Sequence, residues 1–272
     1  MLPISTPYTG AIRVLSSEQS GDGTTVAFLC ERGKIPTNTF AGPPLSFTLI
    51  STLLPLICYF GYNIIIPQIE RVRPSLSVIM NLQRRRWVAN STRRESPFDA
   101  ILAGNIMGSV SFLASTAVLL ILAIFAVFGQ MPALISALNS MSLERVYTTL
   151  DVQLHLAVML AMFVLAFFAF TLSLRQFNHF CIMLGAIDHD GQTTEEEIDA
   201  ITRMNALGAR NFNAGVRAYY FSVATVAWFV SEWLPIIACL ATIAILSHRE
   251  FFSSAHRTAA SAAVIAARRK RD

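Results

Sequence analysis

The sequence is poor in charge: charged residues make up 14% of its 272 positions, whereas 54% are hydrophobic. Water-soluble domains carry about 25% charged residues. Lysine is nearly missing as well, since Lys34 and Lys270 are the only lysines among 21 basic residues. The uncharged positions form long apolar runs, which excludes an ordinary water-soluble domain and predicts an all-α integral membrane helical bundle.

The motifs of common catalytic and metal sites are also missing. The five histidines form no HxxxH or HExxH pattern, the four cysteines form no CxxC pair, and neither a GxSxG motif nor a Walker lysine loop is present. Asp188, Asp190 and Glu197 match part of a calcium-binding loop, but Ala186 stands where the first carboxylate belongs. We therefore expect no enzymatic activity, no bound metal and no cofactor.

Composition divides the chain into three regions. Residues 1–44 are rich in Ser, Thr, Gly and Pro, which predicts a disordered tail. Alternatively, the start is assigned too far upstream and the natural chain begins near Leu45. Residues 45–252 contain the apolar runs and form the predicted transmembrane domain, and residues 253–272 form a basic tail that we expect in the cytoplasm.

Four apolar segments are each long enough to cross a bilayer, which takes about 20 residues. They are residues 45–66, 106–128, 154–174 and 205–246. The last segment is interrupted by Ser-Glu-Trp-Leu-Pro at 231–235, where the chain either kinks within one helix or turns back. A kink predicts four crossings, and a turn predicts five.

The distribution of arginine favours the turn. Seven arginines lie in residues 67–104 and six basic residues follow residue 246, whereas the connection 130–153 has Arg145 alone. Positive residues accumulate on the cytoplasmic side of a membrane, and a turn places both basic regions there. We therefore predict a helical hairpin, five crossings, an outside N-terminus and a cytoplasmic C-terminus in a bacterial inner membrane. Because the basic residues flank apolar segments, we expect no nucleic-acid partner.

An amphipathic helix is predicted on the membrane surface after the first segment. Residues 75–88, SLSVIMNLQRRRWV, repeat apolar side chains at helical spacing. Arg84, Arg85, Arg86 and Trp87 are its predicted membrane-surface residues. They either bind anionic lipids or anchor the cytoplasmic side through ordinary arginine–membrane contacts.

Small residues crowd the first half of the second segment, including Gly104, Gly108, Ser111 and Ser115. Small side chains let helices approach closely in lipid, so this half is predicted to face other helices. We expect a homo-oligomer that forms through this face, or a partner within a larger membrane complex.

Two sets of polar residues each share one helical face near the cytoplasmic boundary: Arg210, Asn213 and Arg217, and Arg175, Asn178 and His179. We predict that the two sets lie at the same depth and bind a small anion or a lipid headgroup. The alternative is a structural role, in which these side chains snorkel and form hydrogen bonds between helices.

Five stretches carry a resemblance to a known family. They are RRRWV (84–88), LAGNIMGSVSFLASTAVLLIL (102–122), LSLRQFNHFCIMLGA (172–186), NFNAGVRAYYFSVATVAWF (211–229) and HREF (248–251). In this order they resemble an uncharacterised membrane family of bacteria and plants, number 599 among the domains of unknown function. The resemblance covers about residues 45–252 and implies a multi-pass membrane protein, but no activity. The sequence around Glu232 departs from the family's turn-like pair.

The predicted function is therefore non-enzymatic. The first hypothesis is that the Arg/Asn cluster handles a small anion or lipid headgroup on the cytoplasmic side. The alternative is a non-catalytic accessory or scaffold subunit of a membrane complex. A polar cavity reaching the arginines favours the first hypothesis, whereas arginines fully paired within the protein favour the second.

Overall fold

The computed structural model describes residues 45–94, 97–141, 146–188, 192–231 and 233–268, and every regular element within them is a helix. The elements are, in chain order, α1 (Leu45–Glu70), α2 (Leu76–Ser91), α3 (Phe98–Gly129), α4 (Met131–Met141), α5 (Thr149–Gly185), α6 (Glu195–Val226), a 3-10 turn (Ala227–Phe229), α7 (Leu234–Phe251) and α8 (Ser254–Arg268). The predicted tail 1–44, the residue Glu232 and the last four residues lie outside the described residues.

Four stretches are long and apolar enough to cross a membrane: Phe47–Glu70, Phe98–Gly129, Thr149–Gly185 and Leu234–Ile265. The second and third contain the predicted segments 106–128 and 154–174, and the first overlaps the predicted segment 45–66 from residue 47 onward. The fourth combines α7 with most of α8, and it begins at Leu234, within the predicted interruption. The other half of the predicted fourth segment belongs to α6, which is not among the four because its sequence is more polar.

The spacing of Thr194 and Glu197 in the sequence predicts a capping box and a helix from about Glu195 to Leu207. Helix α6 begins at the predicted position and continues much further. Thr194 and Glu197 form the predicted capping box, in which the Glu197 amide donates to Thr194 Oγ1 at 3.2 Å and the Thr194 amide donates to the Glu197 carboxylate at 2.7 Å. A helix ending near Leu207 was expected, but α6 runs without a break to Val226. It therefore joins the polar segment before residue 205 to the first arm of the hairpin.

The chain reverses direction between α6 and α7. Arg217 Nη2 donates to Glu250 Oε1 at 2.5 Å, and Arg249 Nη1 donates to the Tyr220 hydroxyl at 3.1 Å. In one continuous helix, residues 217 and 250 would lie about 50 Å apart along the axis. Helices α6 and α7 are therefore two antiparallel helices and not one kinked helix.

The bundle has two chemically different ends. At the α4 end, the start of α1 meets the α6–α7 turn, where the rings of Phe47 and Trp233 lie 4.6 Å apart. At the opposite end, which we call the α2 end, His256 of α8 lies 3.1 Å from the Pro74 carbonyl just before α2. The arginines of α2 and of its flanking loops lie at the α2 end, so the charge is distributed asymmetrically along the bundle axis.

The most extensive helix contact is between α5 and α6. Phe170 of α5 and Phe221 of α6 are fully buried in the main apolar cluster. Ser173 Oγ donates to the Gly208 carbonyl at 2.7 Å, and Asn211 Nδ2 donates to Gln176 Oε1 at 2.8 Å. This close packing holds the polar face of α6 toward α1 and α2.

Helix α2 forms as the sequence predicts, and part of its surface packs on other helices. It packs against both α6 and α8, with Ile79 and Val88 buried.

Helix α3 is more exposed than the sequence predicts. Its small-residue half is exposed, and a Cβ added at Gly104 or Gly108 would meet nothing within 4 Å. The prediction that this half faces other helices is wrong within a single chain, because α3 packs on α5 through Val110 and Ala117 instead.

Candidate functional site

A cavity of about 570 Å³ lies between α1, α2 and α6. We call it the large cavity. Its polar lining consists mainly of side-chain amides and guanidinium groups, from Asn63, Asn81, Arg203, Arg210, Asn211, Asn213 and Arg217. Amide N–H groups and guanidinium groups all donate hydrogen bonds, which makes the lining suited to an anion.

The three arginines of this cavity come from one stripe of α6. Arg203, Arg210 and Arg217 are separated by seven residues each, which returns them to nearly the same face of a helix. Each step is about 10 Å along the axis, so the stripe extends from near the α2 end toward the middle of the bundle. The wall opposite this stripe is formed by α1 and α2.

Arg203 and Arg210 supply the uncompensated charge of the large cavity. Both side chains are exposed, and no carboxylate of the described residues lies within 4.0 Å of either one. Glu70 is the one acidic residue in the lining, and it accepts a hydrogen bond from the Ser75 hydroxyl. The cavity therefore carries a positive excess at its α2 end.

Arg217 differs from the other two because it is paired within the protein. Its Nη1 donates to Asn63 Oδ1 at 2.9 Å, its Nη2 donates to Glu250 Oε1 at 2.5 Å, and its guanidinium carbon lies 5.1 Å from the ring centre of Tyr62. The Arg217 and Glu250 side chains are only 12% and 17% exposed. This arginine joins α1, α6 and α7 and also lines the large cavity.

The structure separates the two predicted sets of site residues. Arg210, Asn213 and Arg217 line the large cavity, whereas Arg175, Asn178 and His179 are exposed on α5 and do not line it. The stripe of α5 that faces α6 runs through Ser173, Phe177 and Phe180, all buried. Residues one or two positions away from this stripe point to other sides of the helix, so the expected six-residue cluster does not form.

The four residues predicted to lie at the membrane surface also have different environments in the structure. Arg85 forms ion pairs with Asp199, at 2.6 Å, and with Glu195, and these hydrogen bonds raise the pKa of Arg85. Trp87 Nε1 donates to Asp99 Oδ1 at 2.5 Å. Arg84 turns inward toward α6 and α7, and Arg86 alone among the four is exposed. Arg84, Arg85 and Trp87 therefore contact other helices of the protein.

Sequence reasoning missed three residues of this region. Arg203 had a detectable signal, because it precedes Arg210 by the same seven residues that separate Arg210 from Arg217. Asn63 and Glu250 had none. They reach Arg217 across 154 and 33 residues of chain, and only the packing of α1 and α7 on α6 brings them there.

At the α4 end, a cavity of about 260 Å³ is lined by Ala126, Val127, Gln130 and Leu134, so its lining is mostly apolar. His155 is fully buried there, with Nε2 at 2.7 Å from the Thr225 carbonyl and its ring stacked on Trp228 at 4.3 Å. Tyr147 donates to the Phe229 carbonyl at 2.9 Å beside them. No group of three His, Cys, Asp or Glu residues within the described ranges is placed to hold a metal ion. These aromatic residues close one end of the bundle.

Residues 50–255 match the family described as "Protein of unknown function, DUF599". The chain belongs to this family. The DUF599 region extends from α1 through α7 to the start of α8, so it includes every wall of the large cavity. Neither the curated proteins nor the solved structures gave a match. Family membership and the four apolar helices together establish a multi-pass membrane protein.

Proposed function

We propose that this DUF599 protein crosses the membrane five times, with the α2 end in the cytoplasm. Helix α5 runs from the α4 end to the α2 end, and α7 begins again at the α4 end. Because α5 and α7 are both apolar enough to cross, α6 has to carry the chain back across the bilayer between them. The arginines at the α2 end support its cytoplasmic position.

The crossing of α6 requires that its polar stripe avoid lipid. Arg217, the deepest of the three arginines, is paired with Glu250 and shielded by Tyr62 of α1. Arg203 and Arg210 lie nearer the α2 end and face the large cavity. Charged side chains within a membrane are tolerated when they pair or face a polar cavity, which supports this assignment.

The function that we propose is non-enzymatic binding of a phosphate-bearing anion in the large cavity. The observation that carries it is that Arg203 and Arg210 line a cavity rich in side-chain amides, and that no carboxylate of the described residues lies within 4.0 Å of either arginine. Guanidinium groups form paired hydrogen bonds with phosphate oxygens. Such a group can come from an anionic lipid or from a free anion.

The apolar rim of the cavity favours the lipid. Phe60 of α1 and Leu207 of α6 line the same cavity and are 47% and 42% exposed. Their exposed surface is adjacent to the arginines, so acyl chains can lie on it while the headgroup reaches the guanidinium groups. The same arginines accept a free anion if no lipid fills the cavity.

The experiment compares anion binding by the full-length chain in two kinds of nanodisc. Discs of phosphatidylcholine and phosphatidylglycerol in equal parts test the lipid, by native mass spectrometry of retained phosphatidylglycerol. Discs of phosphatidylcholine alone test free phosphate, by calorimetric titration. The variant Arg203→Gln/Arg210→Gln should lose lipid retention or weaken phosphate binding about tenfold, which corresponds to about 1.4 kcal/mol.

The matched control is Arg93→Gln/Arg257→Gln, which removes the same charge at exposed positions of the α2 end outside the cavity. The proposal is contradicted if the cavity variant is folded and still binds lipid and phosphate as well as the control variant does. Loss of lipid alone identifies the headgroup as the ligand, and loss of phosphate binding alone identifies a free anion.

An accessory or scaffold role is the second candidate. The observation that favours it is the face of α3 turned away from α5, which is exposed over its length from Gly104 to Leu122. The pairing of Arg217 with Glu250 and Asn63 also fits a structural arginine. In this role, α3 packs against a second copy or another membrane subunit, and the arginines stabilise the bundle.

A further inference from the structure

A second, smaller cavity lies beside the arginine stripe, between α2, α6 and α7. Its volume is about 180 Å³. We call it the small cavity, and its polar lining consists of Ser77, Arg84, Asn213, Arg217, Arg249 and Glu250. Three guanidinium groups face one carboxylate, so the small cavity also has an excess of positive charge.

Among the lining residues, Arg84 most directly favours an anionic ligand. It is partly buried against α6 and α7, and this burial lowers the pKa of its guanidinium. Its hydrogen bond goes to a neutral acceptor, Asn81 Oδ1, at 2.8 Å. No carboxylate of the described residues lies within 4.0 Å of it. A cation that loses water without gaining an anion is unfavourable, and a bound anion would offset that loss.

Arg249 approaches the same space from α7. Its Nη1 donates to the Tyr220 hydroxyl at 3.1 Å, a neutral partner, and its side chain remains exposed. Its guanidinium has further N–H donors that this single bond does not use. Arg84 and Arg249 therefore bring two cations with neutral partners to one cavity, from two different helices.

We propose that the small cavity binds a compact tetrahedral oxyanion, held by Arg84 and Arg249. This proposal rests on the proposed function, because the two cavities share part of their lining. The shared residues are Ser77, Asn213 and Arg217. A volume of 180 Å³ equals about six water molecules at about 30 Å³ each, enough for one hydrated phosphate group but not for acyl chains. The ligand is free phosphate or the phosphate of a lipid whose chains stay outside.

Glu250 is an internal competitor for this anion. Its Oε1 accepts the hydrogen bond from Arg217 Nη2 at the edge of the small cavity. A phosphate oxygen at the same position would bind the same donor, and the two negative groups would repel each other. Removing the charge of Glu250 without changing its size should therefore strengthen anion binding at this site.

The test is calorimetric titration of inorganic phosphate into the full-length chain in phosphatidylcholine nanodiscs. Arg84→Gln and Arg249→Gln should each weaken phosphate binding about tenfold, and Glu250→Gln should strengthen it about tenfold. Arg93→Gln is the matched control, because Arg93 follows α2 directly, is exposed and does not line the cavity. Size-exclusion profiles and melting temperatures establish that each variant is folded.

Phosphate binding by folded Arg84→Gln and Arg249→Gln at wild-type affinity overturns the proposal. If Arg84→Gln does not fold, Arg249→Gln decides alone, since Arg249 is exposed and loses only the bond to Tyr220. Failure of the proposed function has a different signature, namely that Arg203→Gln/Arg210→Gln leaves lipid retention and phosphate binding unchanged. Phosphatidylglycerol in the discs distinguishes the source: if it lowers the apparent phosphate affinity of the wild type, the headgroup occupies the small cavity.

Discussion

Gly215 and Phe170 are in direct contact: a Cβ atom at residue 215 would stand 2.6 Å from Phe170 Cε1. The Phe170 ring is fully buried in the main apolar cluster. We expect Gly215→Ala to lower the melting temperature, because overpacking costs about 1–3 kcal/mol whereas alanine returns at most about 1 kcal/mol of helix propensity. Thermal unfolding of the detergent-purified chain measures the change.

Gly108→Ala is the matched control for this prediction. A Cβ at residue 108 meets nothing within 4 Å, so alanine should leave the melting temperature unchanged or raise it. Equal melting temperatures for the two variants would show that α5 and α6 do not pack as closely as this contact requires. Gly208→Ala should resemble Gly215→Ala, since its Cβ would lie 2.9 Å from the Phe177 ring.

The pair Arg217–Glu250 should couple in a double-mutant cycle. Removing one partner of a buried ion pair costs about 3–5 kcal/mol, because the other charge is left without compensation. We expect Arg217→Gln and Glu250→Gln to be less destabilising together than the sum of their separate effects. The measurement is the melting temperature of the four proteins in one detergent. Strict additivity would mean that the two side chains do not interact in solution.

The two predicted site clusters should behave differently in lipid binding. Arg210 lines the large cavity, whereas Arg175 is exposed on α5 and does not. We therefore expect Arg210→Gln to reduce phosphatidylglycerol retention in native mass spectra and Arg175→Gln to leave it unchanged. Equal losses would favour the original six-residue cluster over the cavity.

The membrane topology should follow the reversal between α6 and α7. A phosphatase reporter fused to the C-terminus should be inactive, because it stays in the cytoplasm, and a fluorescent protein at the same position should fluoresce. A phosphatase inserted after Asn139 in α4 should be active outside. An active C-terminal phosphatase would require four crossings and would contradict the assignment of α6 as a crossing helix.

Self-association should depend on the open face of α3. Gly108→Ile introduces a large side chain where a single chain has free space, so the fold should be unaffected while close helix contact with a second copy is blocked. We expect multi-angle light scattering in detergent to show a smaller assembly. Gly61→Ile on α1 is the control, because a Cβ there also meets nothing within 4 Å. An assembly of unchanged mass would place the interface elsewhere.

Much of the fold could be predicted from local signals. Charge depletion and long apolar runs predicted the membrane helices, the Thr194–Glu197 capping box predicted where α6 begins, and the asymmetry of arginine predicted the chain reversal before α7. Periodicity also placed Arg210, Asn213 and Arg217 on one face. Each of these signals depends on residues close together in the chain, so the sequence alone contains them.

Tertiary structure alone decided which faces meet. The sequence predicted close helix packing at Gly104 and Gly108, but another helix approaches closely at Gly208 and Gly215 instead. Likewise, Arg175 lies on the exposed side of α5, and Asn63 reaches Arg217 from 154 residues away. The physical reason is that lipid is as apolar as a helix interface, so hydrophobic periodicity does not separate a face that packs from a face that contacts lipid. The sequence determined which residues share a face, and packing determined what that face contacts.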